Sequence, residues 1–136
     1  MTSPQIIGID FDGTIVTHEY PRIGTPIKGA IETMSELIEN GHHIILWTMR
    51  SGQELKDAVD YLSNNGIFLF GVNKNPEQNW SDSPKAYCHI YIDDAALGCP
   101  LERLPNQRPM VYWPTVRRIL EHRGLLTNSS GQQSGG

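Results

Sequence analysis

The chain has 136 residues, with 38% hydrophobic and 19% charged side chains and a formal net charge of -4. That length suits one domain with one core and leaves no room for a second catalytic domain. No run approaches the ~18 apolar residues of a membrane span, and the negative balance argues against general attraction to a nucleic-acid backbone.

The N-terminal stretch MTSPQIIGID meets an acid too early for a secretory signal, so a cytoplasmic protein without a membrane partner is expected. Cys88 and Cys99 lack zinc-site spacing and are expected to be free thiols.

In chain order, QIIGID at 5–10 is the first expected strand. Thr25 and Pro26 then resemble an N-cap and first helical residue, and Ile27, Ala30, Ile31, Met34, Leu37 and Ile38 repeat at helical spacing up to Gly41. His42 and His43 are neighbours at the edge of the next strand, HIILWT at 43–48, and should point to opposite faces rather than share a metal. Ser51 and Glu54 have capping-box spacing ahead of an apolar stripe through Leu55, Ala58, Val59 and Leu62. IFLFG at 67–71 and HIYID at 89–93 are further strands, with a short helix expected between them. MVYW at 110–113 is a weaker strand, followed by a helix from Pro114 to about Gly124. Arg117, Arg118 and Arg123 on that helix are expected to face water.

Near-continuous apolar strands alternating with helices predict a parallel sheet covered on both faces, a three-layer α/β domain. Residues 1–124 form the expected domain, and the small, polar stretch 125–136 a disordered tail. The connections at 16–24 and 72–83 are long enough to be functional, and Tyr20, Arg22, Ile23, Asn73, Asn75, Trp80 and Ser81 within them are candidates to meet a ligand.

The chemistry gathers at strand ends. Asp10-Phe11-Asp12-Gly13-Thr14 leaves the first strand, and Gly13 permits the turn that brings two carboxylates toward one crevice. One such carboxylate can attack phosphorus and the other can move protons. Thr48 ends the second strand and Met49 and Arg50 follow it, where a hydroxyl, backbone amides and a guanidinium suit a phosphoryl group or another substrate anion. Lys85 precedes the HIYID strand, and Asp93 and Asp94 end it, an oxygen-rich pair suited to Mg²⁺.

In this order the four elements resemble the haloacid dehalogenase superfamily of phosphatases, over roughly residues 5–98. The resemblance implies a Rossmann-like sheet of about five strands in the order 5-4-1-2-3. It implies Asp10 as nucleophile, Asp12 as general acid and base, and Thr48 and Lys85 as phosphoryl clamps, with Lys85 touching Asp10. Mg²⁺ would be held by Asp10, the Asp12 carbonyl and Asp94, with Asp93 as second or alternate partner. The intervals between motifs leave no room for the inserted cap that the family usually carries. The site is therefore expected to be open, or walled by a second copy in a homo-oligomer.

Hydrolysis of a phosphate monoester is the expected reaction, on a small molecule or an exposed phosphate, a nucleic acid entering only as a phosphorylated end. A phosphotransferase of the same family is the nearest alternative. A receiver-like signalling domain would reverse the motif order, and a non-catalytic phosphate binder would lack a catalytic residue. The sequence leaves the phosphorylated substrate open.

Overall fold

The computed structural model describes residues 3–127. Its centre is a parallel sheet of four strands, β1 (Ile6–Ile9), β2 (His43–Leu46), β3 (Gly71–Val72) and β4 (Ile90–Ile92), in the order β3-β2-β1-β4. Three helices accompany it: α1 (Ala30–Glu39), α2 (Gly52–Asn64) and α3 (Trp113–His122). A mixed α/β architecture with a parallel sheet is thus shown, with four strands instead of about five; read from the other edge the order is β4-β1-β2-β3, the expected 5-4-1-2-3 without its fifth strand. The segment at 110–113 does not join the parallel sheet. Met110–Val111 (β6) instead pairs antiparallel with Leu101–Glu102 (β5), forming a separate two-stranded ribbon.

The central strands are buried because their side chains are apolar on both faces: Ile7 and Ile9 of β1, and Ile44, Ile45 and Leu46 of β2, have no exposed surface. Register places Ile7 beside Ile44 and Ile90, and Ile9 beside Leu46 and Ile92. Those three strands therefore end at one level. Met34 and Leu37 of α1 are also wholly buried, each contributing roughly 1.5–3 kcal/mol relative to exposure. Among the described residues no helix is long and apolar enough to cross a membrane.

Several boundaries differ from the sequence expectation. α1 begins at Ala30 after Gly29, not near Thr25, because Pro26 is bridged antiparallel to Val16. Ser51 does cap α2, but its side chain makes no capping bond. β3 lies at Gly71–Val72 instead of 67–71, although the Phe70 amide still bonds the Ile44 carbonyl of β2, and no helix forms between β3 and β4.

The expected disorder of 125–136 fails at its start. Leu125 and Leu126 are buried, and the Leu125 carbonyl accepts from Asn40 Nδ2 at 3.1 Å and lies 3.0 Å from His42 Nε2. The remainder of that segment from 128 lies outside the described residues. His42 is buried, its Nδ1 accepting from the Gln5 amide, while His43 is exposed and stacks on Phe70. Arg117 is no solvated charge: it clamps Glu36 of α1 through both terminal nitrogens and Glu121 through Nε.

Trp113 ties the third helix to the first loop. Its indole Nε1–H donates to the buried Thr14 carbonyl at 2.6 Å. Trp113→Phe keeps an aromatic side chain but removes the donor and part of the buried volume, so denaturant unfolding should show a loss of at least about 1–3 kcal/mol. A stability unchanged within 0.5 kcal/mol, an order-of-magnitude threshold, would show that the bond contributes nothing net.

Candidate active site

Parallel pairing aligns the C-terminal ends of the strands, and each end delivers a polar group to one edge. Asp10 follows β1, Thr48 lies two residues beyond β2, Asn73 follows β3, and Asp93 and Asp94 follow β4. Asp10, Thr48, Asn73 and Asp93, together with Trp47, Met49 and Pro84, line a cleft of about 300 Å³.

The first loop is held by its own backbone. Ile15 N–H and Val16 N–H both return to the Phe11 carbonyl, and Gly13 N–H bonds the Val16 carbonyl. Gly13 has φ +81°, and a Cβ there would strike the His18 ring and Asp94 Oδ2, so glycine is required twice over. Thr14 is wholly buried. Its hydroxyl donates to Asp10 Oδ2 at 3.0 Å and accepts from the Asp94 amide at 3.2 Å, linking the ends of β1 and β4.

Asp10, Asp93 and Asp94 each offer an oxygen within 4.8 Å of the others. Burial, the Asp93 charge and a hydrogen bond shared with Asp94 push the Asp10 carboxyl up to about 8. Burial, with Asp94 beside it, also raises Asp93. Three crowded carboxyls with this electrostatic penalty could hold a metal ion.

His18 belongs to this cluster although nothing in the sequence marked it: its Nε2 lies 2.9 Å from Asp94 Oδ2. The only sequence cue is its place in the long first loop. A histidine in that position orients a carboxylate that could hold a cation.

Asp12 sits apart from the cluster of three carboxyls. Its two oxygens accept from Arg50 Nη2 at 2.8 Å and Nε at 2.9 Å, a bidentate ion pair. Hydrogen bonding to Asp12 chiefly, against the cost of burial, raises the Arg50 guanidinium above its ordinary value. Only the Asp12 backbone remains for the metal role expected of it.

Two expectations for substrate contacts are corrected. Arg50 is buried, and its remaining N–H groups donate to the carbonyls of Pro21, Arg22 and Glu54 while Phe11 and Tyr20 flank its plane. All five donors are used, so none is left for a substrate anion. Lys85 is exposed, and its ammonium lies over the Tyr91 ring, 5.4 Å from the centroid. It does not touch Asp10, because the neighbouring Pro84 lines the cleft while Lys85 extends toward Tyr91.

Thr48 keeps its expected place. Its amide donates to Asn73 Oδ1 at 2.8 Å, and its hydroxyl oxygen accepts from the Arg50 amide at 3.1 Å. The hydroxyl hydrogen remains for a ligand. Met49 lines the cleft mouth. Asn75 is structural: it is buried and bonded to the Tyr87 carbonyl and the Glu77 amide. Arg22 pairs at the surface with Glu19.

No protein-family model matches the chain, and no curated protein does. One solved structure is similar. It is a conserved protein from Bacteroides thetaiotaomicron, 33% identical, with a TM-score of 0.74 over 89% of this chain and 93% of that one. The two proteins share a fold.

Proposed function

We propose that this protein is a phosphatase of the haloacid dehalogenase type, hydrolysing a phosphate monoester through a covalent aspartyl-phosphate on Asp10. The observation that carries this reading is the meeting of Asp10, Asp93 and Asp94 within 4.8 Å at the sheet edge. Thr48 stands in the same cleft.

In the first half-reaction a carboxylate oxygen of Asp10 attacks phosphorus and the bond to the leaving oxygen breaks, the electron pair departing with that oxygen. Its proton comes from Asp12, which must first take up a proton and release one oxygen from the Arg50 fork that otherwise holds both. Water then attacks the aspartyl-phosphate, its proton passes to Asp12, and the bond to Asp10 breaks to restore the carboxylate. Thr48 donates its hydroxyl hydrogen to a phosphoryl oxygen, and Asn73 fixes the Thr48 backbone while that happens. Thr14 orients Asp10. Arg50 orients Asp12 from behind, without reaching the phosphate.

Asp10, Asp94 and Asp93, with the Asp12 carbonyl, would hold Mg²⁺, which when bound offsets the repulsion between anionic nucleophile and anionic phosphate. With Lys85 turned away, no other cation lines the cleft among the described residues. Activity should therefore depend on the metal almost completely. Chelation should abolish turnover of para-nitrophenyl phosphate and added Mg²⁺ should restore it; full turnover in excess chelator would sink the assignment.

A further inference from the structure

We infer that the cleft selects phosphate monoesters whose leaving group carries a flat, uncharged, apolar ring, with Trp47, Met49 and Pro84 as the specificity-determining residues. This rests on the phosphatase reading and narrows its substrate class.

The first observation is Met49. The residue is 98% exposed beside the candidate nucleophile, and it is not mounted on a loose loop. The residues on either side are pinned through their amides, Thr48 to Asn73 and Arg50 to the Thr48 hydroxyl. A thioether projecting from a held backbone is an adaptable apolar contact that gains when a ligand covers it, and sulfur meets ring edges favourably.

The second is the rest of the wall. Trp47 and Pro84 line the same cleft, so three of its seven lining residues are apolar, and an indole offers a face or edge to another ring. Asn73 adds one polar contact.

The third is charge. The lining includes Asp10 and Asp93 and no lysine or arginine. Arg50 has spent its donors inside the fold and Lys85 is held over Tyr91. Apart from the acids that would hold the metal, the lining carries no charge, so a leaving group bearing a carboxylate or a second phosphate would find no lysine or arginine to pair with. Size agrees: an apolar cavity of about 150 Å³ holds benzene, so a cleft of about 300 Å³ has room for a phosphoryl group and one ring.

Benzyl phosphate and glycerol 3-phosphate test this, because both release an aliphatic alcohol and the comparison isolates the ring from leaving-group acidity. With Mg²⁺ present, kcat/KM should favour benzyl phosphate by about twofold to tenfold, the scale of one aromatic contact. Met49→Ser is fully exposed and does not threaten the core, and it should reduce that ratio severalfold through KM for the benzyl ester. A ratio near one, or a ratio unchanged in Met49→Ser, with Mg²⁺-dependent hydrolysis intact, overturns the ring preference alone. Hydrolysis of neither ester, nor of para-nitrophenyl phosphate, overturns the phosphatase reading and this inference with it.

Discussion

Asp10→Asn should abolish turnover while making the metal-free protein more stable at alkaline pH. The activity loss follows from the role: an amide is a far poorer nucleophile than a carboxylate, so kcat should fall by at least about a thousandfold. The aspartyl-phosphate should vanish with it.

The stability gain follows from electrostatics. Asp10 is raised from 3.8 to about 8 in the folded protein, so between those values the folded state holds a proton that the unfolded chain releases. The stability associated with that proton is fully present below about pH 4 and is lost as pH rises through about 8. Asparagine carries no charge to bury, so its thermal midpoint should exceed that of the metal-free wild type at pH 8 to 9 and match it more closely at pH 4. Mg²⁺ should reverse the order by stabilising the wild type, since it binds the ionised cluster of the folded state. Thermal melts at three pH values, with and without Mg²⁺, read all of this. A metal-free wild type that melts above Asp10→Asn at pH 9 would show that the three carboxyls do not repel in the way their spacing requires.

Arg50→Met should damage the protein as much as any single substitution outside the core. It leaves Asp12 with an unpaired carboxylate and strips the hydrogen bonds from the carbonyls of Pro21, Arg22 and Glu54. Breaking a buried ion pair from one side costs about 3–5 kcal/mol, a large part of the 5–15 kcal/mol that holds a typical domain folded. Lysine is no conservative repair, because a point ammonium cannot reproduce the planar fork that reaches Asp12 through Nε and Nη2. Denaturant unfolding of Arg50→Met and Arg50→Lys should therefore show losses of the same order. A loss under about 1 kcal/mol for Arg50→Met, typical of an exposed pair, would show that the guanidinium is a surface ornament.

Where Arg50→Lys remains folded, its kcat for para-nitrophenyl phosphate should fall while KM changes little. The guanidinium touches Asp12 and not the phosphate.

What the sequence by itself determined is the set of residues at strand ends. Asp10, Thr48 and Asp93 with Asp94 are legible because each closes a run of apolar residues, and parallel pairing carries such ends to one edge whatever the loops do. The opposite fates of His42 and His43 were legible for a similar reason, since alternation along a strand is local geometry.

The tertiary structure decided everything that depends on where a long side chain or a weak strand finds its partner. Arg50 reads as an anion contact next to Thr48, yet the carbonyls that absorb it come from the 21–22 loop, nearly 30 positions upstream, and from the first turn of α2. Lys85 is adjacent to a cleft residue, but in an irregular segment one position is enough to turn a side chain away. Met110–Val111 has the composition of a strand and is one, but the Leu101–Glu102 segment captures it, so it never reaches the central sheet. His18 enters the site because Gly13 lets the first loop fold back onto Asp94. Local pattern specifies which residues end a strand; long-range packing specifies which charges remain free, and here that difference sets the character of the cleft.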